Sequence, residues 1–200
     1  MIKKLPLYKA LIDDENAGMY CISLVDDPAV EVDWMTFSKE QEELKFKVEN
    51  EEKHIIRGVI MRANYPIYRI GASGYEYYIE YEPETIRLMA QKYLQDGFQN
   101  NIDTQHNDKL QNGVYMVQWF IKDSENGINP KGFENIEEGS LFAEFKVENE
   151  EIWNQIKEGT FKGFSLAGFF DVEEVENPAE DEEEQEVLAL IEKIKSKINK

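Results

Sequence analysis

The chain has 200 residues, 42% of them hydrophobic and 12% aromatic, enough to bury one sizeable core and too apolar for a disordered polymer. Its formal net charge of −19, from 41 Asp and Glu against 22 Lys and Arg, repels phosphate and argues against nucleic acid as a direct ligand. One cysteine, Cys21, excludes an internal disulfide and a cysteine-built zinc site, and no apolar run approaches a membrane span or a signal-peptide core, so a cytoplasmic protein is expected.

In chain order, alternating apolar residues predict strands at Tyr8 to Ile12, Tyr20 to Val25, Leu44 to Val48, Ile55 to Arg62 and Tyr75 to Tyr81. Pro83-Glu84 then opens a helix through Leu94, with Ile86, Met89, Ala90 and Tyr93 on one face. A short strand is expected before His106, followed by strands at Tyr115 to Ile121 and Leu141 to Val147. A second helix runs from about Asn149 to Lys157, its apolar side formed by Ile152, Trp153 and Ile156, and Gly159 stops it. Phe161 to Phe169 is the last expected strand. Many short strands and few helices predict an α+β domain over residues 1–170, built around a small, mostly antiparallel β-barrel with flanking helices. From Asp171 to Glu184 most residues are acidic, and such a stretch repels itself, so residues 171–184 are expected to be a disordered linker. Over residues 185–200, Val187, Leu188, Ile191, Ile194 and Ile198 recur at helical spacing, which predicts an amphipathic helix at the end of the tail.

Chemistry concentrates in two segments. In Lys162-Gly163-Phe164-Ser165-Leu166-Ala167-Gly168 a serine stands between glycines, which permit unusual dihedrals and close backbone approach beside an exposed hydroxyl. The spacing is not the G-x-S-x-G of an α/β-hydrolase elbow, and no long helix follows. In Asn101-Ile102-Asp103-Thr104-Gln105-His106 stands one of only two histidines, so a base for that serine has few sources. If the two side chains meet, they form a nucleophile and its general base. The other histidine, His54, follows an acidic run and is expected to be a surface residue able to form a salt bridge, although a Ser-His-His arrangement would require it. Asp123-Ser124-Glu125-Asn126-Gly127-Ile128-Asn129 loosely matches a calcium loop, but its glycine comes one position early and Pro130 intrudes, so a polar hairpin turn is expected instead. No phosphate-cradling loop or dinucleotide fingerprint is present, and neither a metal nor a cofactor is expected.

Taken in order, Ile22-Ser23-Leu24-Val25-Asp26-Asp27-Pro28-Ala29, Asn101 to His106, Val114 to Trp119, and the block from Glu138-Gly139-Ser140 to Gly168 resemble the phage prohead proteases of the XkdF-like group, distant relatives of the herpesvirus assemblin-type serine proteases. The resemblance covers most of residues 20–170. It implies a herpesvirus-protease-like barrel, with Ser165 as nucleophile and His106 as base. It also implies a serine endopeptidase that cuts scaffold and capsid proteins, and itself, during capsid maturation. Such an enzyme would work inside the immature capsid in the bacterial cytoplasm, self-associating but touching neither nucleic acid nor membrane. Relatives often carry Glu in the strand after the histidine, where this chain has Gln118. For the third member of the triad, Asp103 and Asp26 stand open, Asp103 needing a bend to reach His106 because i and i+3 on an extended segment face different ways. The alternative expectation is a non-enzymatic capsid-assembly or scaffold-binding protein that keeps the fold; a small-ester hydrolase using the same pair is a further one.

Overall fold

The computed structural model describes residues 5–12, 17–26, 47–50, 53–71 and 73–175. Along the chain these form β1 (Leu7–Leu11), β2 (Gly18–Val25), β3 (Lys47–Asn50), β4 (Ile55–Met61), β5 (Ile67–Ile70), β6 (Glu76–Glu80), α1 (Pro83–Gln95), a 3-10 turn (Phe98–Asn100), β7 (Ile102–Thr104), β8 (Val114–Ile121), β9 (Leu141–Val147), α2 (Glu150–Lys157), β10 (Gly163–Phe169) and β11 (Asp171–Glu174).

The strands lie in three sheets, ordered β11-β1-β6-β5, β10-β2-β7 and β3-β4-β9-β8. The third is wholly antiparallel. The other two each contain one parallel pair, β1 with β6 and β2 with β7. The α+β class therefore holds, but the expected barrel does not: among the described residues the sheets do not close on one another. The β10–β2 ladder shows why. Its register slips between Ala167 and Gly168, and past Phe170 the chain changes partner, so that β11 pairs with β1 in another sheet.

That last pairing also moves the start of the tail. Asp171–Glu174, read from charge as the beginning of a disordered linker, forms an edge strand whose residues pair from Leu11↔Asp171 to Tyr8↔Glu174. All four β11 side chains are exposed, so backbone pairing is gained while the acidic groups keep their water. The rest of the acidic segment and the expected helix at 185–200 lie outside the described residues, as do residues 44–46 of the third expected strand, which continues to Asn50.

Both expected helices form, the second starting one residue later than expected, at Glu150, with Asn149 as its cap. On α1, Pro83 occupies the first turn and Ile86, Met89, Ala90 and Tyr93 are buried, a spacing that puts one stripe on the core. On α2, the Asn149 side chain accepts hydrogen bonds from the Glu151 and Ile152 amides, each at 3.1 Å, a cap worth about 1 kcal/mol. Gly159 at φ +77° ends that helix. One continuous core gathers Ile22 and Leu24 of β2, Ile56 and Met61 of β4, α1, Ile102 of β7, Phe145 of β9 and Trp153 of α2. Ile22, Leu24 and Ile102 are fully buried; this fixes one face of the β10-β2-β7 sheet inward and, because side chains alternate, leaves the residues between them on the other face.

Candidate active site

The face opposite the core carries a polar row. Ser165 of β10 lies opposite Ser23 of β2, and Ser23 lies opposite Asp103 of β7. Three neighbouring strands thus contribute Ser, Ser and Asp at one level of the sheet. Strand register alone sets this alignment, and a slip of one residue on any strand would turn its member into the core.

His106 reaches the row from the turn after β7. Gln105 and His106 both adopt left-handed backbone conformations, at φ 54° and 51°, and the Gln105 amide is tied to the Leu24 carbonyl at 3.0 Å. This is the bend that the Asp103 to His106 spacing requires, and it folds the imidazole back over β2. Its Nε2 stands 2.9 Å from Ser165 Oγ, and its Nδ1 stands 2.9 Å from Ser23 Oγ. Ser23 in turn donates a short hydrogen bond to Asp103 Oδ1. The second carboxylate oxygen of Asp103 accepts the Asp108 amide at 2.9 Å.

With an ionised Asp103 and a neutral imidazole, one arrangement of protons satisfies these contacts. Ser23 has one hydroxyl hydrogen, and an ionised carboxylate can only accept, so that hydrogen points at Asp103. Ser23 Oγ must then accept from His106, which places the imidazole hydrogen on Nδ1 and leaves Nε2 free. A free Nε2 facing Ser165 is poised to take the hydroxyl proton. The inner members are sealed, Ser23 at 0% and Asp103 at 2% exposure, whereas Ser165 at the outer end is only half-buried.

The structure thus brings together Ser165, His106 and Asp103, with Asp103 linked to the imidazole through Ser23 rather than directly. Sequence reasoning gave Ser23 no role. The available signal was a hydroxyl inside the apolar run Cys21-Ile22-Ser23-Leu24-Val25, where a buried strand has no other reason for one. Asp26 stands apart, meeting Gln105 through its backbone amide at 3.4 Å. Gln118 is exposed on β8, opposite Glu144 and in a different sheet. His54 differs from the expected salt-bridging surface residue: it is half-buried, stacks on Trp153 at 4.4 Å between ring centroids, and approaches the Val147 carbonyl at 3.2 Å. Those contacts put it with α2 rather than with Ser165.

Of the two roles expected of the glycines beside Ser165, close approach holds at Gly168 and unusual dihedrals do not. Neither Gly163 nor Gly168 has a positive φ; the left-handed residues lie in the histidine turn instead. Gly168 is needed for space, since a Cβ there would sit 2.5 Å from the Phe170 ring and 2.6 Å from the Gly18 carbonyl oxygen. Cys21, two residues before Ser23, is buried. Burial, with the Asp103 charge adding to it, pushes its thiol up to about 11, which leaves it a packing residue rather than a nucleophile. The segment at Asp123 is a closed polar turn: Asp123 and Ile128 exchange backbone hydrogen bonds at 2.8 and 2.9 Å, and the Asp123 carboxylate accepts from Asn126.

No curated protein and no solved structure matches the chain. Residues 41–174 match the family described as "Putative phage serine protease XkdF", a span that contains Asp103, His106 and Ser165 and begins after Ser23. That match says nothing of the expected kinship with herpesvirus proteases. Covering more than half of the chain, it establishes that this protein belongs to the XkdF family of phage serine proteases.

Proposed function

We propose that the chain is a serine endopeptidase of phage capsid maturation, with Ser165 as nucleophile, His106 as general base, and Asp103 acting on His106 through Ser23. The observation that carries this reading is the 2.9 Å contact between Ser165 Oγ and the free Nε2 of His106, at the open end of a buried chain of hydrogen bonds.

In the first step Ser165 Oγ attacks a peptide carbonyl while its proton passes to His106 Nε2. The imidazolium is held on its far side by Ser23 and, beyond it, by the Asp103 carboxylate. Backbone amides near Gly163 to Leu166 receive the oxyanion. The carbon–nitrogen bond then breaks, and the proton on Nε2 goes to the departing amine. Water, deprotonated by His106, cleaves the acyl ester and restores the serine.

The substrates on this reading are the scaffold and capsid proteins of an assembling prohead, and the protease itself, inside the immature capsid in the host cytoplasm. Family membership supports a phage protease, and the net charge of −19 keeps such an enzyme away from nucleic acid. The test is intact mass over time for wild type and Ser165→Ala, with and without the scaffold protein encoded alongside. Discrete fragments with wild type only are expected. Intact masses throughout, with folded scaffold present, would move the reading to a non-enzymatic assembly protein.

A further inference from the structure

Beside His106 opens a pocket of about 310 Å³, one wall of which is the Leu166 to Gly168 segment directly after Ser165. Aromatic rings from Tyr20, Tyr77, Tyr81 and Phe170 line it, and Arg69 of β5 enters it. The guanidinium hydrogen-bonds the Tyr68 carbonyl at 3.2 Å and stands beside the Tyr81 hydroxyl, whose pKa burial raises and the Arg69 charge pulls back down.

The chain carries 41 acidic residues against 22 basic ones, and the neighbouring arginines are matched: Arg57 to Glu144 at 2.6 Å, and Arg62 to both carboxylate oxygens of Glu137. Among the described residues no carboxylate pairs with Arg69. A half-buried guanidinium left open in so acidic a protein, in a pocket walled by rings, has the form of a carboxylate receptor: its planar fork fits two oxygens, and the rings cover an aliphatic stem.

We propose that this pocket receives an acidic side chain of the substrate, glutamate above all, at a residue adjoining the scissile bond, with Arg69 determining that specificity. The proposal rests on the protease reading of Ser165, because the pocket's meaning comes from its place between His106 and the residues following the nucleophile. The chain's own charge repels an acidic segment at long range. A preference for glutamate must therefore arise from the short contact with Arg69, and it will persist when salt screens the rest.

The test uses the full chain, as wild type, Arg69→Gln, Arg69→Glu and Ser165→Ala. Each is incubated with a synthetic peptide library of randomised sequence, the cuts are mapped by mass spectrometry, and labelling by a fluorophosphonate is followed in parallel. Wild type is expected to cut beside Glu about tenfold or more in preference to Gln, the scale of a charge-assisted hydrogen bond. Arg69→Gln should lose that ratio, and Arg69→Glu should shift it toward Lys. A labelled, cleaving wild type with no acidic preference, or with a preference for Phe, overturns the proposal, and so does a Glu preference unchanged in Arg69→Gln. The wild-type preference decides alone if a variant fails to fold. A wild type neither labelled nor active on any peptide overturns the protease reading itself, and this proposal with it.

Discussion

The β10-β2-β7 sheet and the β3-β4-β9-β8 sheet both bury polar groups, and they end their hydrogen-bond chains in opposite ways. On β9, Glu144 is 4% exposed and directly opposite Arg57 of β4, whose Nε donates to it at 2.6 Å. That unit is closed: charge meets charge across one ladder rung. On β7, Asp103 is as deeply buried, but its neighbour in the row is a hydroxyl, the next member an imidazole, and the last a half-buried serine at the surface. Burial and charge are common to both. On the proposed reading, what separates a structural pair from a reactive site is an open end facing solvent, where a substrate atom can complete the chain.

The largest effect should come from removing that open end. Ser165→Ala is expected to lower peptide cleavage by about 10⁴-fold or more while thermal unfolding stays close to wild type, because among the described residues the hydroxyl has no hydrogen-bond partner beyond His106. The mirror experiment breaks the closed pair. Glu144→Ala should destabilise the protein by about 1.5–3 kcal/mol in denaturant unfolding, since it removes a charge-assisted hydrogen bond to a half-buried guanidinium. A loss below about 1 kcal/mol would remove the contrast between the two sheets. Ser23→Ala should lower kcat by about 10- to 100-fold with KM little changed, as befits a positioning residue that touches no substrate. A change in KM alone would place Ser23 in the binding surface instead. The smallest effect is a control. The Tyr93 hydroxyl is buried without a hydrogen-bond partner among the described residues, so Tyr93→Phe should leave stability within about 1 kcal/mol of wild type or raise it.

Much of this was legible in the sequence. The apolar stripe Ile86, Met89, Ala90, Tyr93 specified α1, and Ile152, Trp153 and Ile156 with the Gly159 stop specified α2, because helix ends and faces are local properties. Ser165 and His106 could be singled out from residue type and rarity. The cross-strand row could not, since Ser23 and Asp103 are 80 residues apart and meet only through the register of a parallel pair. Nor could the bend at Gln105 and His106, where two ordinary residues take a left-handed backbone with no glycine to announce it. The barrel was misread for the same reason: strand positions are local, but the change of partner at Phe170 is not. Charge composition misplaced the start of the tail because β11 is held by its backbone, to which side-chain charge is a poor guide.

The measurement that bears most directly on the relay is the rate at which a fluorophosphonate modifies Ser165 in wild type and in Asp103→Asn, with the site mapped by mass spectrometry. The Asp108 amide facing residue 103 favours the amide oxygen there, which turns the new amide hydrogens toward Ser23. Ser23 would then donate to His106, and the imidazole hydrogen would move to Nε2, leaving no base for Ser165. The account predicts a single adduct on Ser165 in wild type and a rate on the order of 10²-fold or more lower in folded Asp103→Asn. Equal rates in the two proteins would contradict it.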